Sequence, residues 1–210
     1  MKSWLTLTIL LLFLGQSVAQ DLEITPSYGV QFGTKIDFGS NYLKIADSDQ
    51  WGLNIGYEIS SKTLLEVNYL HHNTELLVKH NIVAPTERRS SDLKGDWVHL
   101  GVMRYFSEDG VRPFVGGALG VVFLSVSNPN PDFIVRGGAT RSEVALSLSF
   151  KAGINIMISE VVGINLQGNL LFPSGWGEVY VAAGKSVTVS GSSLVGGFSG
   201  GLVFRLNTGS

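Results

Sequence analysis

Six charged residues of this 210-residue chain sit between apolar neighbours: Glu23, Glu58, Glu66, Arg112, Lys151 and Arg205. Charges in such company are a reacting set or a set of ion pairs, because an unpaired buried charge costs several kcal/mol, on the order of a whole domain's margin. Four histidines are the next candidates: His71, His72, His80 and His99. A metal site needs two or more ligands converging on one side. Adjacent His71 and His72 point to opposite faces of a strand, and no cysteine is present. No metal and no cofactor is therefore expected. The segment "KHNIVAPTERRSSDLKGD" (79–96) holds His80, Ser90, Ser91 and Asp92, residue types that carry acyl transfer. Their spacing fixes no nucleophile beside a base, so no catalytic residue and no enzyme is expected. The same segment carries Lys79, Arg88, Arg89 and Lys94, and arginine suits bidentate contact with phosphate.

The chain opens "MKSWLTLTILLLFLGQSVAQ". Lys2, an apolar run from Leu5 to Leu14 and the ending Ser17-Val18-Ala19, with small residues at the −3 and −1 positions, make a secretory signal over 1–19, cut after Ala19. Residues 20–210 then form one domain. That domain is apolar for an exported protein: 44% hydrophobic and 15% charged, with mean hydropathy +0.24 and 26 glycines. Apolar surface outside a core is implied, yet no later window is a long uncharged apolar run. The net charge of −2 gives no reason to expect nucleic acid.

Parity explains where the charges go. In "VALSLSFKAGINIMI" (144–158) the even positions include Val144, Leu146, Leu148, Phe150, Ile154 and Ile156; the odd ones include Ser147, Ser149, Lys151, Gly153 and Asn155. Strand side chains alternate between faces, so one face is apolar and the other small, polar or charged. The same split runs through 22–36, 50–59, 64–71, 162–172 and 194–206. In 111–124 the preferred phase turns Arg112 inward and Val115, Leu119, Val121 and Phe123 outward. In 96–106 it turns Arg104 inward and Trp97, Met103 and Tyr105 outward. Trp51 and Trp97 then mark one aromatic girdle, and Tyr57 and Tyr105 the other.

These are about eight strands, as an even-numbered barrel requires. Connections alternate short (60–63, 107–110, near 159–160) and long (37–49, 73–96, 125–142, 173–193). That rhythm matches short periplasmic turns and long extracellular loops. A dry interior could not hold Glu23, Lys35, Glu58, Glu66, Arg112, Lys151 and Arg205. A narrow membrane barrel pairs them inside while the apolar face meets lipid. The opposite orientation would cost about 2–4 kcal/mol per Lys or Arg at mid-bilayer. The fold class that follows is all-β: an eight-stranded antiparallel up-and-down transmembrane barrel, its polar lumen plugged by side chains.

"GVMRYF" followed by "RPFVGGALGVVF", with the closing "FSGGLVFRL", resembles the small outer-membrane β-barrel proteins of the OmpX and OmpA-barrel type, the outer membrane protein beta-barrel domain group. The resemblance spans about 20–206 and departs at the tail Asn207-Thr208-Gly209-Ser210, where family members end on an aromatic. It implies a monomer in the Gram-negative outer membrane, delivered by periplasmic chaperones and the barrel-insertion machinery. It further implies a structural or surface-interaction role, with a narrow channel or conduit for small apolar compounds as the alternative and a rim-sited lipid-modifying enzyme behind both. Lys79, Arg88, Arg89 and Lys94 would then meet lipopolysaccharide.

Overall fold

The computed structural model describes residues 21–38, 41–81, 84–128, 130, 141–174 and 194–207. The expected signal segment, much of the 125–142 and 173–193 connections and residues 208–210 lie outside them. The strands are β1 (Asp21–Phe32), β2 (Lys35–Phe38), β3 (Asn41–Ile45), β4 (Ser48–Ser60), β5 (Thr63–His80), β6 (Ala84–Tyr105), β7 (Val111–Ser127), β8 (Arg141–Met157), β9 (Val162–Pro173) and β10 (Val195–Asn207). Each pairing is antiparallel, and β1 and β4–β10 close an eight-membered ring. Closure occurs where β1 meets β10, with Glu23 opposite Arg205. The tight turns at 61–62, 106–110 and 158–161 share a rim with Asp21 and Asn207. This is the periplasmic end of the architecture expected.

The outer face bears the apolar set. Leu119 is 65% exposed, Leu146 70%, Phe150 52% and Leu202 47%, values that no soluble core would leave in water. Trp51 and Tyr57 also face outward, as the girdle reading requires. Lys151 turns inward and is largely covered.

Three expectations fail, each for a physical reason. First, Trp97, Met103 and Tyr105 face the lumen, while Val98, Leu100 and Val102 face outward and Arg104 goes with them. The rule that turns cations inward holds at mid-bilayer and relaxes with depth. One residue from the strand end, an outward arginine costs only about 0–1 kcal/mol. Trp97 and Tyr105 instead gain hydrogen-bond partners inside. Second, 73–96 is not a loop: β5 and β6 pair through it, with Asn73 opposite Lys94 and Leu77 opposite Arg89. Third, Lys35 is outside the lumen. It begins β2, which with β3 prolongs the β1–β4 hairpin, and β3 joins β5 where Leu43 faces Val78.

In that outer extension the faces exchange character. Inward positions are apolar and buried (Ile45, Leu76, Leu93, Leu124), while outward ones are Glu75, Asp92 and Lys94. Water now surrounds the wall, so the apolar side must turn in.

Candidate functional site: the lumen and the outer rim

All six charged residues singled out from sequence enter the lumen, and they form two groups. Near the periplasmic rim Arg112, 1% exposed, donates from Nη1 to Glu23 Oε1 at 2.7 Å. The Tyr105 hydroxyl donates to the other Glu23 oxygen at 2.5 Å, and the Arg112 guanidinium lies 3.8 Å over the Tyr105 ring. Asn155 donates to the Tyr105 hydroxyl and Asn165 to Asn155, both at 2.6 Å. Arg205 binds Asp21 and donates to Glu58 at 3.1 Å, closing the group from below. Farther in, Lys151 pairs with Glu66 and donates to Asn68 Oδ1 at 3.1 Å.

β1 and β10 place Glu23 and Arg205 across one register pair, while β7 and β8 bring Arg112 opposite Asn155. Small residues make the room. A Cβ on Gly197 would lie 2.8 Å from the Gln50 amide, which donates to Asn169 Oδ1 at 3.1 Å. Between these groups the described residues leave two cavities of about 10 Å³ each, lined by Glu66 and Lys151 among others. That is the space of roughly one water.

Above the ion pairs comes an imidazole–indole layer. Trp97 donates from Nε1 to His72 Nδ1 at 3.2 Å, and its ring stacks on His99 at 6.0 Å. His99 Nε2 lies 3.0 Å from the Ser147 hydroxyl. Over this layer Ile45, Leu93, Val122, Leu124, Leu171 and Val195 pack into an apolar cluster.

A second constellation lies on the outer wall. Asp96 Oδ1 accepts from the Tyr69 hydroxyl and contacts His71 Nδ1, both at 2.7 Å, and Lys94 Nζ is 3.2 Å from Oδ2. The Trp51 ring lies 5.1 Å from Tyr69 and 5.4 Å from His71.

His71 and His72 thus do point to opposite faces. Among the described residues no group of three metal-ligating side chains gathers. The imidazole–carboxylate pair (His71–Asp96) and the imidazole–serine pair (His99–Ser147) stand on opposite faces of the wall, so no serine joins a His–carboxylate pair there. Of the loop set, Ser91 is buried, and Asp92 is bound by Arg89 and Asn128. The Arg89 guanidinium and the Asn128 amide hold the Asp92 carboxyl below the usual carboxylate range. His80 ends β5 opposite Ala84.

The four cations are spread along the wall. Lys94 is at the rim beside Asp96, whereas Lys79, Arg88 and Arg89 stand about six residues, or roughly 20 Å, farther out. Lys79 lies 5.8 Å over the Tyr42 ring, and Arg89 binds Asp92 and Glu75. Sequence reasoning missed Tyr105, His72, His99 and Trp97 as lumen residues. The signal was present in Asn155 and Asn165, already in the inward parity class, whose amides need a partner at the level of Tyr105.

No protein-family model and no curated protein matches the sequence. Solved structures do. The chain is similar to Neisserial surface protein A (14% identity, 89% of this chain and 97% of that one, TM-score 0.59). It is similar also to the outer membrane protein OprG from Pseudomonas aeruginosa (12%, 90% and 97%, TM-score 0.66). A third is Ail, the attachment invasion locus protein of Yersinia pestis, solved with the heparin analogue sucrose octasulfate (13%, 90% and 100%, TM-score 0.54). At these identities the likeness is one of fold. The chain has the fold of a small eight-stranded outer-membrane β-barrel.

Proposed function

We propose that this chain is a monomeric barrel of the Gram-negative outer membrane with a structural or surface-interaction role, exported by a signal over 1–19 and inserted as 20–210. One observation supports the non-conducting reading above the others: among the described residues the lumen is filled by the Glu23–Arg112–Tyr105 and Glu66–Lys151 groups, with cavities the size of one water between them. The apolar outer belt, interrupted by charge only toward the rims, supports placement in lipid. Lys79, Arg88, Arg89 and Lys94 meet lipopolysaccharide, Lys94 at the membrane rim and the others farther out. Replacing Arg88 and Arg89 with Ser lowers lipopolysaccharide co-purification in this reading.

Planar-bilayer recording tests the plug. The expected trace is silent; steady single-channel steps from the wild-type protein overturn the reading. A second reading, a conduit for small apolar compounds, draws on the apolar cluster of Ile45, Leu93, Trp97, Leu124 and Leu171 at the outer end of the lumen. Faster entry of an apolar dye into proteoliposomes, with ion conductance still absent, would favour it.

A further inference from the structure

The outer wall changes from apolar to polar within one strand register. Below the change stand Val67 and Val98; above it stand Asn73 and Glu75, and Trp51 is level with it, paired across the strands with His71. His71, Lys94 and Asp96 occupy the change itself, at the height where lipid headgroups meet the girdle.

Here Asp96 has the place of a clamp. Its carboxylate is engaged by the Tyr69 hydroxyl, the His71 ring and the Lys94 ammonium, so its lone pairs are committed inward along the wall. With Nδ1–H of His71 given to the Asp96 carboxylate, which can only accept, Nε2 is the ring atom left to a ligand among the described residues, and it donates when the ring is the imidazolium. Lys94 has three ammonium hydrogens and one carboxylate contact, and its side chain is half exposed. The Trp51 ring, 46% exposed, lies against the His71 ring and continues down the lipid-facing belt.

We propose that His71 and Lys94, clamped by Asp96 beside Trp51, form a seat for a phosphate group on an outer-leaflet glycolipid of the lipopolysaccharide type, with its acyl portion against Trp51. The inference rests on the outer-membrane reading above and deepens it: it adds His71 and Trp51, and separates Lys94 from Lys79, Arg88 and Arg89. Several features fit this occupant. The two donors are fixed beforehand, so little rotamer entropy is lost on binding. Phosphate gives the Lys94 ammonium, and His71 Nε2–H in the imidazolium form, an acceptor each. An indole flanked by polar groups is amphipathic in the manner of the headgroup region. Lys35, Lys44 and Arg89, paired with Asp37, Glu87 and Asp92, stand on the open face of the extension away from lipid, whereas Lys94, paired with Asp96, stands at the edge of the apolar belt.

The test compares the folded full-length protein in micelles with purified lipopolysaccharide and with the same material after enzymatic removal of its phosphates. Wild type should bind the phosphorylated form about tenfold more tightly or better, the worth of one to two charge-assisted hydrogen bonds. His71→Gln with Lys94→Gln should abolish that preference and Lys94→Arg should keep it, while Arg88→Ser with Arg89→Ser, although it lowers the binding of both preparations, should leave the preference in place. Equal binding of the two lipid preparations by wild type overturns the inference without any variant, as does a preference that survives the double substitution. Heat-modifiable electrophoretic mobility checks that each variant is a closed barrel. Should the double variant misfold, His71→Asn and Lys94→Gln measured singly decide the matter: each should weaken the preference, and a preference untouched by both overturns the inference. A wild-type chain that forms no barrel in lipid or micelles defeats the outer-membrane reading instead, a result distinct from lost phosphate preference.

Discussion

The stretch of wall within the membrane and its outer extension are built from the same strands with opposite polarity. Along β6 the inward side chains run Tyr105, Met103, His99, Trp97, Leu93 and Ser91, from hydrogen-bonded tyrosine to packed leucine. The outward ones run Val102, Leu100, Val98, Asp96, Lys94 and Asp92. β5 repeats this: Glu66 inside and Val67 outside give way to Leu76 inside and Glu75 outside. Alternation is continuous, and only the solvent outside changes. Where lipid covers the wall, apolar groups turn out at no cost and the interior takes the polar residues. Where water covers it, the hydrophobic effect turns the pattern round.

The sharpest way to test that contrast is to remove one buried charge from the membrane part. Arg112→Ala leaves Glu23 without its main partner, and about 3–5 kcal/mol of stability should be lost, read as a lower urea midpoint in micelles. An unchanged midpoint would mean the pair is not enclosed. Next comes the outer face: Leu100→Arg, at mid-belt, should cost about 2–4 kcal/mol in a refolding titration, whereas Arg104→Leu should move stability by less than about 1 kcal/mol. Similar losses for both would show that the phase of β6 is wrong. In the extension the cost should come from packing. Leu93→Ala should remove about 2 kcal/mol, visible as faster amide exchange over 73–79 while the membrane transition stays put. If exchange is unaffected, the extension has no apolar interior.

The smallest effect should come from pH. Asp92 has a depressed pKa because Arg89 and Asn128 bind its charged form. Its stabilisation is therefore complete at neutral pH and is lost as pH falls below the ordinary aspartate value of 3.8 and on through the folded one. Amide exchange near Ser127 and Asn128 should quicken only in that acid range, and Asp92→Asn should remove the dependence. An acceleration near pH 6 would point to another group.

The sequence was most legible where one face was uniformly oily. Residues 144–158 and 194–206 showed their phase directly, since eight or so alternating side chains leave a single arrangement that spares Lys151 and Arg205 from lipid. It was least legible in 73–96. There the polar outward residues and the Thr-Glu-Arg-Arg-Ser-Ser run read as loop chemistry, because exposed β-strand and loop share the same residue types. Lys94 and Asp96 of the rim site fell in that stretch. His71 and Asp96 are 25 residues apart, and nothing local says that β5 and β6 set them side by side.

By itself, then, alternation dictated that a closed wall forms and that Glu23, Glu58, Glu66, Arg112, Lys151 and Arg205 line it, because period two and the cost of a cation in lipid are local facts about each strand; it misplaced Lys35 and Arg104 near the strand ends. Pairing dictated the rest. Which acid neutralises Arg112, that Tyr105 turns inward to join them, and that Tyr69, His71, Lys94 and Asp96 converge are consequences of register between strands distant in the chain. Register is set by the sum of all cross-strand contacts, so no single segment contains it.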